Sequence, residues 1–374
     1  MRLLRNISNR LAPIILKDSA ITDKIHKKVI LSLLIGFILS VGGFYLAFRN
    51  VPANELIAYL TQINYLWALP SFGLIVLSFV LRVIRWQVIL GPAKKIRFWS
   101  GFHPVMIAFT INCILPGRVG ELARPAILMK KENVRFSTGL ATVAMERAFD
   151  ITMIIGLFLM VYRWIDFDPN TQVGLGNTTL EAIVAGMFQL GLVLILGMLL
   201  VSLQWSRARI IQLILNGPKL LFFCSARSKE KISDAICKPV VNLIENFAIG
   251  FALIHSPIRI LICLGLSVLI WLIAASSYYV FSLGCPGIDL SISEMIAVMV
   301  IICVFIALPS VPGYWGMWEV GGIFAMMMFG VSQKEAAGFT LANHAMQIIP
   351  VILIGFVSAI YTGVNLWRTV FDSQ

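Results

Sequence analysis

The sequence predicts an all-α integral membrane protein, with about six transmembrane helices plus two re-entrant helical hairpins arranged as an inverted repeat. Three observations predict it. The 374 residues are 59% hydrophobic and 13% charged, with a mean hydropathy of +0.89. That is more apolar surface than a soluble domain of this size can hide. Apolar runs long enough to cross about 30 Å of hydrocarbon recur along the chain. The 30 Lys and Arg residues fall almost wholly on alternate connections.

Residues 1–28 form a basic segment, read as cytoplasmic. The apolar run 29–48 follows it without a small-residue cleavage site, so it reads as a retained first span. Further full spans are predicted at 66–89, 137–161, 181–204, 257–283 and 340–366. Two other apolar runs, 101–115 and 292–310, end in Pro-Gly breaks. Short helix-like pieces follow at 119–131 and 317–330, and each pair is too short to cross a bilayer twice. Both pairs therefore read as hairpins that return to the side they came from.

With the N-terminus in the cytoplasm, 26 Lys/Arg residues lie inside and Arg49, Arg163 and Lys334 outside, a strong positive-inside bias. Arg147 falls within a span. The net charge of +12 then faces anionic lipid headgroups, so the basic character needs no nucleic acid. Segment 205–256 reads as amphipathic helices on the inner surface. The expected location is the cell inner membrane, with both termini cytoplasmic.

The two breaks resemble each other. Pro116, Gly117, Gly120 and Glu121 in "LPGRVGE" match Pro312, Gly313, Gly316 and Glu319 in "VPGYWGMWE". About 30 residues beyond each proline lies a polar cluster, "ERAFD" (146–150) and "NHAMQ" (343–347). The halves thus run about 66–161 and 257–366 within a membrane domain of 29–374. By the charge count the two hairpins start from opposite faces, an architecture shared by many transporters.

Charge collects at the first break. Arg118, Glu121 and Arg124 are three apart and share one helical face. Glu146, Arg147 and Asp150 lie deep within a span, where ionised groups must face a cavity or one another. Glu319, Asn343, His344 and Gln347 supply a second set. Either the charges form an ion-pair lock between span and hairpin, or they line a cavity for a polar headgroup. Freed N–H groups at the breaks, with Arg118 and Arg147, suit a phosphate. The carboxylates suit an ammonium group, a proton or a small cation, so a headgroup carrying both signs fits best.

Arg82 and Arg85, near a span end, read as snorkelling to the surface. Tyr314, Trp315 and Trp318 read as an interfacial aromatic cluster, His103 as a cap at the hairpin mouth, and Glu294 and Glu335 as solvated. The six cysteines lack metal-ligand or disulfide spacing, the four histidines are scattered, and no hydrolase, zincin or P-loop motif appears. No catalytic residue, metal or cofactor is expected.

The stretches "NCILPGRVGELARPAIL", "MERAFDI", "LPSVPGYWGMWEVGG" and "NHAMQIIPVILIG" resemble the lysylphosphatidylglycerol synthase transmembrane, or flippase-like, family, over about residues 30–366. The resemblance implies a lipid-handling protein. In familiar members the membrane part translocates an aminoacylated phospholipid made by a fused cytosolic domain. Here the chain ends eight residues after the last predicted span, so the expectation is the stand-alone membrane part, without aminoacyl transfer. The family often carries arginine where His344 stands, so charge there can depend on pH.

The expected function is a lipid translocator moving a polar or phosphate-bearing headgroup through a charged midplane cavity. The partners are membrane lipids, whether anionic, aminoacylated or polyprenyl-linked. Two alternatives stay open: a membrane enzyme acting on a lipid-linked substrate, and a non-transporting partner of a cytosolic synthase or glycosyltransferase. A homodimer also stays open.

Overall fold

In a computed structural model, the structure describes residues 36–115, 118–164, 203–217, 237–308 and 310–365, with the single positions 189, 192, 196, 197, 200, 201 and 233; for 162–164 it describes the backbone alone. Among these residues the chain is all-helical, without a strand. The predicted segment 1–28, most of the span 181–204, and Pro116 and Gly117 lie outside the described residues.

The N-terminal half contains α1 (Gly36–Phe48), α2 (Ala53–Gln62), α3 (Ala68–Leu90), α4 (Phe98–Ile114), α5 (Gly120–Glu132) and α6 (Phe136–Trp164). Two helices of the predicted inner-surface segment follow, α7 (Gln204–Asn216) and α8 (Lys238–Gly250). The C-terminal half is α9 (Pro257–Ser282), α10 (Ile292–Ala307), α11 (Met317–Met328) and α12 (Gln333–Thr362).

Three of these elements are long and apolar enough to cross a membrane: Tyr65–Leu90, which runs into α3, then α9 and α12. They fall on the predicted spans 66–89, 257–283 and 340–366. The last starts earlier than predicted, because Ser332 caps it and its hydroxyl accepts from the Glu335 N–H. Glu294 likewise belongs to a capping box with Ser291 at the start of α10. The Glu294 carboxylate, read as solvated, also accepts the Ser291 N–H at the helix start, where orphan N–H groups need acceptors. That of Glu335, read the same way, accepts from the Ser332 hydroxyl. Helix α6 has the length of a span, 29 residues, but carries the Glu146–Asp150 charges in its middle. Helix α2 was not anticipated. Its Tyr59 hydroxyl donates to the Pro286 carbonyl at 2.9 Å, which docks it on the C-terminal half.

Each break separates two helices that pack on one another, α4 with α5 and α10 with α11. The close approach of α4 and α5 depends on Gly120, where a Cβ would overlap the Ala108 carbonyl oxygen. The 16 residues of α10 rise only about 24 Å at 1.5 Å per residue. Every residue from Met295 to Ile302 is buried. An amphipathic surface helix buries one stripe, so α10 is a central post, surrounded on all sides. Against it pack α6, α9 and α11, and α3 lies along α9.

Candidate functional site

A cavity of about 500 Å³ opens among these helices. Its apolar walls include Phe79, Phe109, Ile154 and Met299. Its polar residues come mostly from the N-terminal half: Arg82, Asn112, Arg118, Glu121, Arg124, Arg147 and Asp150, joined by Tyr314 and Gln347. An ionised group at the bilayer centre costs about 2.5–3.5 kcal/mol on insertion scales, so the charges pair extensively.

Helix α6 organises them. The Glu146 carboxylate is fully buried behind the cavity wall. Arg124 Nη1 donates to its Oε2 at 2.5 Å, while Arg85 and Arg147 each place an Nη2 3.4 Å from its Oε1. One turn later, Asp150 accepts from Arg85 Nη2 at 2.8 Å. Arg147 Nη2 is 3.3 Å from the other Asp150 oxygen, and Arg82 Nη1 is 3.8 Å away. Glu121 of α5 reaches Arg147 Nε at 3.8 Å. The Arg124 guanidinium also lies 4.4 Å over the Trp86 ring, a cation–π contact. Trp86 is held in turn by the Thr142 hydroxyl at 3.0 Å.

The predicted face shared by Arg118, Glu121 and Arg124 is only partly formed. Arg118 precedes α5 and has a left-handed backbone, φ 54°, so it leaves the helical register of the other two. Its Nη2 instead donates across to the Ile306 carbonyl at the end of α10, at 2.7 Å. Its guanidinium lies 5.7 Å from the Tyr314 ring. All three residues still line one cavity.

The second set is separate from it, except Gln347. Gln347 lines the cavity and donates to the Ser277 hydroxyl of α9 at 3.0 Å. His344 and Glu319 are fully buried and contact each other, His344 Nδ1 lying 2.5 Å from Glu319 Oε1. His344 Nε2 lies 2.8 Å from the Gly313 carbonyl. A carbonyl only accepts, so Nε2 must donate. One proton must then lie between Nδ1 and the carboxyl. Whichever atom holds it, the pair carries no net charge. The Trp318 ring stacks on the imidazole, 4.4 Å between centroids and 5° from parallel. Asn343 is fully buried beside them. The second break needs its glycines: φ is 71° at Gly313 and 88° at Gly316, values glycine adopts without strain, while Tyr314 between them also has a positive φ of 62°. The Glu319 carboxylate accepts from the Gly316 N–H at 2.7 Å, starting α11 after the turn opened by Pro312.

Three expectations are corrected here. Arg82 and Arg85 do not snorkel, since both pair with Asp150. The Arg85 side chain has no exposed surface and also donates to the Ser267 hydroxyl at 2.8 Å. Trp318 is no interfacial anchor but a plate over His344, although Trp315 stays half exposed. His103 lies inside α4 and contacts the Ser358 hydroxyl of α12 at 3.1 Å. A sequence signal for the arginines existed. Ser71, Ser78, Arg82 and Arg85 fall on one face of α3 at 3.6 residues per turn, a polar stripe along a span rather than charge at its tip. Asn112 was also missed. Its Oδ1 accepts from the Gly120 N–H at 2.8 Å, capping α5 from α4.

An all-helical chain with several membrane-length apolar helices around a charged internal cavity is a polytopic membrane protein. Comparison with known families places it further. Residues 29–355 match the family described as Lysylphosphatidylglycerol synthase TM region, and the chain belongs to it. Among curated proteins it is 30% identical over 125 residues to Glycosyltransferase AglD of Haloferax volcanii, covering 33% of this chain and 20% of that protein. It is 29% identical over 92 residues to UPF0104 membrane protein MJ1078 of Methanocaldococcus jannaschii, covering 25% of this chain and 38% of that protein. The matches thus span well under half of either relative. No solved structure matches.

Proposed function

We propose that this protein is a lipid translocator in which a polar, phosphate-bearing headgroup passes through the charged cavity while the tails stay in the bilayer. The observation that carries the reading is the cavity itself: about 500 Å³, walled by apolar helices and lined by Arg118, Glu121, Arg124, Arg147 and Asp150. An ion-pair lock alone needs no open space beside its charges. Guanidinium groups suit phosphate oxygens by geometry as well as charge.

The internal repeat supports the same reading. Arg147 pairs with Glu121 in the first half. His344, at the matching position of its cluster, pairs with Glu319 in the second. Asp150 reaches back to α3 through Arg85, and its counterpart Gln347 reaches back to α9 through Ser277. Two halves with equivalent contacts, starting from opposite faces by the charge bias, would allow alternating access around the breaks. In this reading α4–α5 and α10–α11 are the re-entrant hairpins, 29–374 is the membrane domain, and both termini are in the cytoplasm of an inner membrane.

The test is a leaflet-transfer assay. Full-length protein is reconstituted in vesicles with a headgroup-labelled anionic phospholipid, and label accessible to an added quencher is followed. Wild-type protein should expose label from the inner leaflet. An Arg147→Ala, Glu121→Ala double variant that elutes as a folded protein should not. Equal transfer by both would sink the site.

The partial match to a glycosyltransferase favours a second reading, in which this membrane region serves a lipid-linked transferase. Turnover of a lipid-linked sugar by the purified chain, without leaflet transfer, would select it.

A further inference from the structure

The charges around the cavity do not balance. Arg82, Arg118, Arg124 and Arg147 line it, against Glu121 and Asp150 as the carboxylates among the described lining residues. Behind the wall, Arg85 and Glu146 approach at 3.4 Å and cancel. The Glu319–His344 pair behind Trp318 is neutral by its hydrogen bonds. Four guanidinium groups facing two carboxylates leave two positive charges. Arginine stays protonated in proteins, and protonating either carboxylate only enlarges the excess. Among the described residues, two charges is therefore the floor.

The excess has identifiable donors. Arg118 has no carboxylate within 4 Å among the described residues, and its hydrogen bond goes to a neutral carbonyl. Arg124 and Arg147 each keep a buried Nε without a hydrogen-bond partner, and both line the cavity. A buried polar group is normally partnered. Arg147 Nε has only the 3.8 Å ion contact to Glu121. Cavity-lining guanidiniums with donors not fully hydrogen-bonded, carrying two uncompensated positive charges among the described residues, define an anion-binding site.

We infer that the cavity selects a headgroup carrying two negative charges, a lipid phosphomonoester or diphosphate, over zwitterionic lipids and singly charged phosphodiesters. A phosphodiester leaves one guanidinium charge uncompensated. A zwitterion brings an ammonium group beside Arg118. A dianion closes the balance, and its oxygens accept from the planar guanidinium donors in pairs. The apolar walls at Phe79, Phe109 and Met299 suit the first methylenes of the tails. The choice of a lipid rests on the translocator reading; the charge balance does not.

Equilibrium binding to the purified full-length chain in nanodiscs tests this without any transport. Phosphatidic acid, phosphatidylglycerol and phosphatidylethanolamine are compared at about pH 8, where a phosphomonoester is largely dianionic. Phosphatidic acid should bind about tenfold tighter than either of the others, a difference of about 1.4 kcal/mol. Arg118→Gln, at an exposed residue, should bring its affinity down to that of phosphatidylglycerol. Equal affinity of the wild-type protein for all three lipids would overturn the inference. Inorganic phosphate that displaces phosphatidic acid at equal concentration would keep the dianion site and overturn the lipid as its source. A preserved preference without leaflet transfer would strike the translocator reading and leave this one standing.

Discussion

Glu319 and His344 stand 25 residues apart in sequence and 2.5 Å apart in the fold, with neither side chain exposed. The imidazole joins the carboxyl group at the start of α11 to the Gly313 carbonyl in the break before it. Glu319 also holds the Gly316 N–H. One side-chain pair thus fixes both ends of a turn with two left-handed glycines.

Removing either partner should loosen that turn. Breaking a buried pair costs about 3–5 kcal/mol, because the survivor is left unpaired. Glu319→Ala and His344→Ala are expected to lower the thermal unfolding temperature in detergent. Glu319→Gln should cost less, because its amide oxygen can still accept from Gly316. Equal losses for the two Glu319 variants would contradict the capping role.

Arg85 and Arg82 lie one turn apart but should respond differently. Arg85 bonds Asp150 and Ser267 with no exposed surface, whereas Arg82 meets Asp150 at 3.8 Å and is partly exposed. Arg85→Ala should destabilise by about 3 kcal/mol or more, and Arg82→Ala by much less. A double-mutant cycle of Arg85→Ala with Asp150→Asn should give a coupling energy of about 0.5–3 kcal/mol. No coupling would revive a surface-seeking Arg85.

Packing glycines offer a contrast within one protein. A Cβ at Gly120 overlaps the Ala108 carbonyl oxygen, and one at Gly355 overlaps the Thr110 hydroxyl, whereas Gly265 has open space. Gly120→Ala and Gly355→Ala should force α4 away from α5 and α12, costing about 1–3 kcal/mol. Gly265→Ala should be neutral or stabilising by up to about 1 kcal/mol, from helix propensity. Melting curves of the three variants decide it.

Asn112 caps α5 from a neighbouring helix. Asn112→Ala should cost about 1 kcal/mol, as loss of a helix-start acceptor does. Asn112→Asp keeps the acceptor and should retain most of the stability, read by the same melting curves. An alanine variant as stable as the wild-type protein would show that Gly120 finds another partner.

The membrane class, three of the spans and the two helix–break–helix units are local properties. They follow from runs of apolar residues, caps and Pro-Gly breaks, each confined to a short window of chain. So is the clustering of Glu146, Arg147 and Asp150, because ionised groups inside a span must pair with one another or face a cavity. Which charge meets which is not local. Arg85 and Asp150 are 65 positions apart, and nothing near Arg85 signals its partner beyond the polar stripe on α3. The sequence by itself therefore determined a helical membrane protein with charge loaded at its first break. The tertiary structure alone decided that most of that charge shares one cavity while Glu319 and His344 form a second, neutral pair behind Trp318. The physical reason is range: hydrophobic periodicity acts over a helical turn, whereas an ion pair in a low-dielectric interior takes whichever partner the packing of distant helices brings within 4 Å.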